Sequence, residues 1–232
     1  MSEKERVYFN ILAERDGFYK VHPDEEYIRI LRETGILKEQ RSKKVLDAGC
    51  GSGAFSKFLY EQGFTSIVGV DISDKLIEIA NKREKGKISF LCGDMLKLPF
   101  ESNSFDIIFC GASLHHIPHH LDKAVCEFFR VLRSGGKVYF FEPYFPSMNS
   151  FLRYYVFSFN RTQEERALNP IKLHKIFVEN GFKNFEFKRI TTVKHIYYTY
   201  NTKVLQKIFG YVRYLVNEHL FPNTFFVGSA GK

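Results

Sequence analysis

The chain has 232 residues, of which 44% are hydrophobic and 16% aromatic, and a formal net charge of +8. This length suits one α/β domain with a modest insertion, and the composition is ordinary for a globular protein with a sizeable core. We expect a cytoplasmic protein that does not span a membrane, because no apolar run of about 18 residues and no signal-like leader occur, and because its four cysteines lack metal or redox spacing.

Basic charge is concentrated in the last part of the chain. Residues 1–143 hold 21 basic and 21 acidic side chains, whereas residues 144–232 hold 13 basic and 5 acidic ones together with 20 of the 38 aromatic residues. The whole net charge therefore falls in a region that is also rich in aromatic side chains.

The first 43 residues have a helical pattern. Apolar side chains recur at helical spacing on one face, while most other positions are polar or charged. This face consists of Tyr27, Ile28, Ile30, Leu31 and Ile36. We therefore predict an N-terminal helical arm over residues 1–43, followed by a second unit over residues 44–232.

A strand, a glycine-rich turn and a helix are predicted over residues 44–59. Lys44 to Leu46 has the pattern of a short buried strand, and Asp47 and three alternate glycines, Gly49, Gly51 and Gly53, follow it. Glycine permits backbone angles that a Cβ would forbid and lets a ligand approach the main chain. A helix that begins near Gly53 would direct its free N–H groups toward such a ligand. A simple connecting turn is the plain alternative.

An acid ends the next predicted strand. Asp71 follows Val68-Gly69-Val70, about 20 residues after the loop, where a carboxylate can accept hydrogen bonds from both hydroxyls of a ribose. A nicotinamide dinucleotide site would space its glycines G-x-G-x-x-G, but here the spacing is D-x-G-x-G-x-G. In addition, no tyrosine has a lysine four residues later, as in one large class of dehydrogenases. An oxidoreductase is therefore disfavoured.

These motifs resemble those of the class I S-adenosylmethionine-dependent methyltransferases, in the broad group that includes ubiquinone- and menaquinone-biosynthesis enzymes. The resemblance covers Val45 to Glu142 and, more loosely, the chain to its end. It implies an α/β, Rossmann-like fold: a seven-stranded, mostly parallel sheet with an antiparallel last strand and helical lid insertions. It also implies S-adenosyl-L-methionine as the cofactor.

The resemblance assigns roles to individual cofactor-binding positions. The loop from Gly49 to Gly53 would hold the methionine part, and Asp47 would position the loop and the amino group. Asp71 would hold the ribose. Other side chains would contact adenine, and the exit of the fourth strand would face the methyl group. The implied cofactor-binding residues are Asp47, Gly49, Gly51, Gly53, Asp71, Ile72, Asp94, Met95, Cys110 and Gly111.

Two histidines follow the fourth strand, which we predict over Phe105 to Cys110. The sequence Leu114-His115-His116 is frequent at this point in the group, where the methyl group faces the acceptor. His115 and His116 are therefore candidates for a general base, and simple packing on the cofactor is the alternative. His119, His120 and Asp122 follow, but with no further ligand at metal spacing we predict no metal site.

The final third is predicted to complete the sheet. Asn169-Pro170 and Asn180-Gly181 mark the start and end of a helix. Phe182 to Ile190 alternates as strand six, and the family places strand seven, here Asn223 to Ser229, antiparallel between strands five and six. Substrate-side insertions are predicted at about 143–168 and 191–222. In the family the N-terminal arm folds over the cofactor, so Tyr8, Phe9, Phe18 and Tyr19 could close a lid or only pack.

The basic, aromatic region leaves three interpretations open. The insertions could pack as a lid with solvated lysines. They could bind a small apolar, aromatic, lipid- or quinone-like acceptor, with transient contact of an anionic membrane surface. They could bind nucleic acid, although the chain lacks the Asn/Asp-Pro-Pro-Tyr/Phe and Pro-Cys motifs of base methylases. We predict methyl transfer to O, C or N of a small-molecule acceptor; an RNA or other nucleic-acid methyltransferase and a non-catalytic binding protein are the alternatives.

Overall fold

The computed structural model describes residues 3–14, 25–144, 165–192 and 223–232. These residues form six helices and seven strands, and short 3₁₀ turns occur at Ile36–Lys38 and Leu114–His116. The helices are α1 (Glu3–Glu14), α2 (Glu25–Thr34), α3 (Ala54–Glu61), α4 (Asp74–Glu84), α5 (Leu121–Val131) and α6 (Pro170–Glu179). The strands are β1 (Lys44–Ala48), β2 (Ser66–Asp71), β3 (Ser89–Cys92), β4 (Phe105–Gly111), β5 (Leu132–Pro143), β6 (Lys183–Thr192) and β7 (Asn223–Gly231).

The strands form one seven-stranded sheet in the order β3-β2-β1-β4-β5-β7-β6. The first five run parallel to one another, and β7 lies antiparallel to both β5 and β6. The predicted fold class is therefore confirmed, including the antiparallel last strand between strands five and six.

Both faces of the sheet are buried, which explains why its central strands are apolar throughout. Successive side chains of a strand point to opposite faces. Phe140 accordingly joins one core cluster with Leu46 and Val125, whereas its neighbour Phe141 joins the other with Val45. Helices on both faces cover these clusters, so a period-two alternation of polar and apolar residues is not expected here.

The strand order reverses at β1, which places a crevice at the carboxyl ends of β1 and β4. β1 pairs with β2 on one side and with β4 on the other. The connections that leave β1 and β4 therefore diverge, and ligands of open α/β sheets bind at such a point. Asp47 in β1 and the histidine turn after β4 belong to this edge.

The predicted helix of the last third is present as α6. The Asn169 side chain accepts a hydrogen bond from the Ile171 amide at 2.9 Å, which caps the first turn ahead of Pro170. The helix ends before Gly181, whose φ of 90° suits a glycine.

Most of the two predicted insertions, and the lid candidates Phe18 and Tyr19, lie outside the described residues. The insertion boundaries and the division into an arm and a second unit therefore stay predictions. In the parts of the chain that the structure describes, no helix combines the length and apolar character needed to cross a bilayer.

Candidate active site

The glycine loop turns sharply between β1 and α3. The amides of Gly49 and Cys50 both donate to the Val70 carbonyl, at 2.8 and 3.0 Å, and the Gly53 amide donates to the Cys50 carbonyl at 2.9 Å. Gly49, Gly51 and Gly53 have φ angles of 80°, 54° and 80°. These left-handed conformations strain any residue that has a Cβ, so the three glycines are needed for the turn.

Asp71 connects this loop to the start of α4. One carboxylate oxygen accepts the Gly51 amide at 2.8 Å and the other accepts the Ser73 amide at 2.9 Å. Burial raises the pKa of Asp71, and the bonds from the Ser73 and Gly51 amides oppose that rise. The carboxylate retains acceptor capacity beyond these two bonds, because ionised oxygens offer about four lone-pair sites.

Asp47 is buried below the loop. Its Oδ2 accepts the Ser56 hydroxyl at 2.6 Å, whereas its Oδ1 is buried with no hydrogen-bond partner among the described residues. Burial raises the pKa of Asp47 to about 7, and the nearby Asp71 carboxylate adds to this rise. A buried acceptor without a donor costs free energy, so a cationic ligand group at Oδ1 would be strongly favoured.

The side of the crevice predicted to hold adenine is formed by β3 and its exit. Asp94 Oδ1 accepts the Leu96 amide at 2.9 Å, and Met95 is buried beside the loop. A Cβ on Gly49 would lie 3.1 Å from the Met95 methyl group. Met95 and the loop therefore lie side by side in the crevice.

The turn after β4 is held by contacts of Ser113 with buried groups. Ser113 donates to the Ala48 carbonyl at 3.2 Å and its hydroxyl lies 3.0 Å from the Cys110 thiol. Cys110 is fully buried in the core and Gly111 packs against Phe109 and Phe141. The Cys110 thiol is thus part of the core, where it lies beside the Ser113 hydroxyl.

The rings of His115 and His116 are in contact, with centroids 4.1 Å apart and planes tilted by 39°, but their surroundings differ. His115 is buried, and its Nδ1 lies 2.7 Å from Glu142 Oε2. His116 is more exposed and packs against the edge of Phe9, at 5.0 Å between ring centroids. The described residues include no group of three or more histidine, cysteine, aspartate or glutamate side chains arranged for a metal ion.

Helix α1 lies against this edge of the sheet. Asn10 donates to the Asp74 carboxylate at 2.8 Å and accepts the Ser73 hydroxyl at 2.6 Å, directly after Asp71 and Ile72. Glu5 is buried, with its Oε2 3.9 Å from His116 Nδ1. The helix therefore connects the ribose side of the crevice to the histidine side.

Several of these residues were not predicted from the sequence. They are Asn10, Ser56, Arg83, Ser113, Glu142 and Glu165, of which Arg83 lies 3.3 Å from the carbonyl and hydroxyl oxygens of Ser52 in the loop. Glu142 had a usable signal, because it is an acid directly after the apolar run Val138 to Phe141, just as Asp47 follows Val45-Leu46. The others have no local signal.

The arrangement fits S-adenosylmethionine on two observations of this structure. A Cβ built on Gly51 meets no atom within 4 Å, so the loop has open space on that side. The orphaned Oδ1 of Asp47 suits the ammonium group of a methionine moiety, which would satisfy it. The residues present therefore suit an amino-acid nucleoside with a positive charge.

Comparison with known proteins agrees with this geometry. Residues 46–140 match a family described as "Methyltransferase domain". A demethylmenaquinone methyltransferase of Staphylococcus aureus is 30% identical over 164 residues, which cover 66% of this chain and 66% of that protein. The chain thus spans just under two thirds of the length of the curated relatives it matches.

Solved structures show the same fold. Phosphoethanolamine N-methyltransferase 2 of Haemonchus contortus, in complex with phosphomonomethylethanolamine and S-adenosylhomocysteine, has a TM-score of 0.71 at 18% identity and covers 100% of this chain and 58% of that one. A putative methyltransferase of Haloferax volcanii, bound to the activator Trm112, has a TM-score of 0.72 at 19% identity. The match covers 97% of this chain and 98% of that one.

Residues 46–140 therefore belong to the methyltransferase-domain family, and the sheet and its helices have the fold of solved methyltransferases. S-adenosylmethionine, the cofactor predicted from the sequence, agrees with this family match and with the open space at Gly51 and the orphaned Asp47 oxygen. Which residues hold the cofactor stays a prediction, and the following variant tests it at Asp71.

Replacing Asp71 with Ala should weaken binding of S-adenosylhomocysteine by about 1–3 kcal/mol, roughly 5- to 150-fold, because the ribose hydroxyls lose a charged acceptor. The Gly51 and Ser73 amides lose their acceptor too, so the loop should also become less ordered. Calorimetric titration measures the affinity. Asp74→Ala is the control, since it removes a carboxylate three residues away that bonds Asn10 rather than the loop. Equal affinity of Asp71→Ala and wild type would refute the ribose assignment.

Proposed function

We propose that this protein transfers the methyl group of S-adenosylmethionine to an oxygen, carbon or nitrogen atom of a small apolar or aromatic acceptor, such as a lipid- or quinone-like molecule. The observation that carries the proposal is the continuity of the crevice. The glycine loop and its acids lie at the carboxyl end of β1, and the two adjacent imidazoles lie at the neighbouring end of β4.

The chain's own residues would bind and orient the reactants. S-adenosylmethionine supplies an activated methyl group on a sulfonium. Asp47, the glycine loop, Asp71, Ile72, Asp94 and Met95 are proposed to hold it, with the backbone of Cys110 and Gly111 beneath. Orientation of two reactants can contribute roughly 7–11 kcal/mol, so a rigid cradle can supply most of the acceleration.

The acceptor assignment is supported from two sides. Phe9 packs against His116, so an aromatic side chain borders the histidine end of the crevice. The Staphylococcus relative that is 30% identical acts, by its name, on demethylmenaquinone. A quinone-derived acceptor is therefore the first class to examine. Transient contact with an anionic membrane surface, which would deliver such an acceptor, is a further part of the proposal and is supported by the excess of basic over acidic residues in 144–232.

The test begins with binding and ends with methyl incorporation. Calorimetric titration with S-adenosylmethionine, and with NADH as the control, establishes cofactor choice. The protein is then incubated with methyl-labelled S-adenosylmethionine and a naphthohydroquinone that carries a short isoprenoid chain, with parallel samples of phosphoethanolamine and of total RNA. We expect label in the naphthohydroquinone, and none when Asp71→Ala replaces wild type.

Label in RNA alone would overturn the proposal in favour of a nucleic-acid methyltransferase. Binding of the cofactor with no label in any sample, including a total lipid extract, would favour a non-catalytic binding protein.

A further inference from the structure

Glu142, at the end of β5, has a complete set of hydrogen bonds. Its Oε1 accepts the amides of Ser113 and Leu114, at 3.0 and 2.8 Å. Its Oε2 accepts the His115 amide at 3.3 Å and lies 2.7 Å from His115 Nδ1. Three of these donors are backbone amides, which can only donate. The carboxylate has about four acceptor sites, so the fourth is filled by the imidazole.

This arrangement determines the tautomer of His115. Because Glu142 accepts from every neighbour, Nδ1 carries a proton, and in the neutral imidazole Nε2 therefore presents a lone pair. The distance on the other side of the ring agrees with this assignment. Nε2 lies 3.8 Å from Glu165 Oε1, too far for a hydrogen bond, as expected when a lone pair faces a carboxylate. His115 therefore lies between two carboxylates. Glu142 accepts the hydrogen bond from Nδ1–H, and Glu165 would stabilise a positive charge gained at Nε2.

His116 is held differently. Its Nδ1 lies 3.9 Å from Glu5 and 4.0 Å from Glu165, beyond hydrogen-bond distance of either carboxylate. For His115, by contrast, the structure shows a carboxylate bonded directly to the ring, that of Glu142.

We propose that Glu142 is a positioning residue that holds His115 as the Nδ1–H tautomer, so that His115 Nε2 accepts a proton from the methyl acceptor. The inference rests on the methyl transfer proposed above and narrows its substrate class to acceptors that arrive with a weakly acidic O–H, N–H or C–H group. The acceptor gives this proton to Nε2 and keeps the bonding electron pair, with which it bonds the methyl carbon. The pair of the broken carbon–sulfur bond stays on sulfur, so the single positive charge passes from the sulfonium to the imidazole.

Glu142→Gln tests the tautomer without any acceptor. The amide oxygen can replace only one carboxylate oxygen, and two backbone amides point at the Oε1 position. The Gln oxygen is therefore expected at Oε1, so its NH₂ group faces His115 Nδ1. Nδ1 must then accept, which moves the ring proton to Nε2 and removes the lone pair.

The first measurement is a two-bond ¹H–¹⁵N correlation spectrum of ¹⁵N-histidine-labelled full-length protein at pH 8, with His115 assigned by its loss in His115→Asn. We expect protonated Nδ1 and unprotonated Nε2 in wild type and the reverse in Glu142→Gln. Glu39→Gln is the matched control, because Glu39 bonds Lys137 and Tyr139 in the middle of the same strand, has no contact with the histidine turn among the described hydrogen bonds, and should leave the His115 signals unchanged. An Nε2–H or doubly protonated ring in wild type, or the same tautomer in both proteins, would overturn the inference.

The second measurement is kinetic and uses the naphthohydroquinone probe. Loss of a positioned base typically costs 10²–10⁴-fold in rate. We expect the kcat of wild type to rise with pH, because only an unprotonated Nε2 can accept the proton. Glu142→Gln should lower kcat by about that factor and abolish this rise, while the affinity for S-adenosylhomocysteine stays within about twofold of wild type. A normal kcat or an unchanged pH profile would refute the base. Absence of activity in wild type would instead count against the acceptor proposed above, and the spectrum would still decide the tautomer.

Discussion

Replacing Asp47 with Asn is expected to stabilise the free protein at pH 8 and to weaken its binding of S-adenosylmethionine. Burial raises the pKa of Asp47 from 3.8 to about 7. Between these values the folded protein binds a proton that the unfolded chain has lost, so the Asp47 contribution to stability falls as pH rises from about 4 to about 7. A difference of three pKa units corresponds to about 4 kcal/mol.

Asparagine removes this cost because it has no charge, and its amide oxygen can still accept the Ser56 hydroxyl. The NH₂ group of this asparagine takes the place of Oδ1, which has no hydrogen-bond donor among the described residues. The NH₂ group would then be buried without an acceptor, at a cost of about 1–3 kcal/mol. We therefore expect a net gain of about 1–3 kcal/mol in the free energy of unfolding at pH 8, shrinking toward pH 5. Urea denaturation at both pH values measures it.

Asp106→Asn is the control, because it should change the free energy of unfolding in the opposite direction. Although burial raises the pKa of Asp106, hydrogen bonds from the Lys44 amide and Arg133 hold it below its usual value. This carboxylate therefore adds stability above its unfolded pKa and loses it as pH falls through its lower folded value. Its variant should lose stability at pH 8.

The same Asp47→Asn protein should bind S-adenosylmethionine about 10- to 100-fold more weakly, since a hydrogen bond to a charged group contributes about 1.5–3 kcal/mol. Wild-type affinity should increase between pH 6 and 8, as Asp47 ionises, whereas the affinity of the variant should not gain from this ionisation. Calorimetric titration at the two pH values tests both points. If the variant binds as tightly as wild type, Asp47 does not hold the ammonium group.

Three glycine-to-alanine variants are expected to distinguish the effects of backbone strain, of steric collision and of lost space for the cofactor. In Gly49→Ala the new Cβ would lie 2.6 Å from Ser113 Cβ, at a φ of 80°. The left-handed backbone costs roughly 1–2 kcal/mol and overpacking a further 1–3 kcal/mol, so we expect a loss of about 2–5 kcal/mol in stability.

Gly51→Ala and Gly135→Ala both place a Cβ where no atom lies within 4 Å, at φ values of 54° and 77°. Each should therefore lose only the strain of about 1–2 kcal/mol. Gly51→Ala should in addition bind S-adenosylhomocysteine more than about tenfold more weakly, because its methyl group would enter the space proposed for the cofactor, whereas Gly135→Ala should bind normally. Denaturation and calorimetry give the two quantities, and normal binding by Gly51→Ala would place the cofactor elsewhere.

The parts of the fold that follow from local pattern were predictable. The strand before the loop, the helix from Asn169-Pro170 to Asn180-Gly181 and the antiparallel seventh strand are all present. Each depends on residues close in sequence or, for β7, on the resemblance to the family. The observed β5 extends beyond the apolar run Val138 to Phe141 at both ends, because its pairing with β4 begins at Leu132 and its pairing with β7 continues to Pro143.

The environment of the histidines was not predictable in the same way. From the sequence His115 and His116 are equivalent, since both follow β4 in one turn. The structure distinguishes them through Glu142, 27 residues further along the chain, and through Phe9, which approaches from α1.

The sequence by itself determined the class of cofactor, because the glycines and acids of the loop lie within a few residues of one another or at the ends of adjacent strands. Only the tertiary structure decided how these groups are charged and oriented. Burial sets the pKa of Asp47, and the meeting of β5 with the turn after β4 sets the hydrogen bonds of His115. Both depend on contacts between distant segments, and no local spacing encodes such contacts.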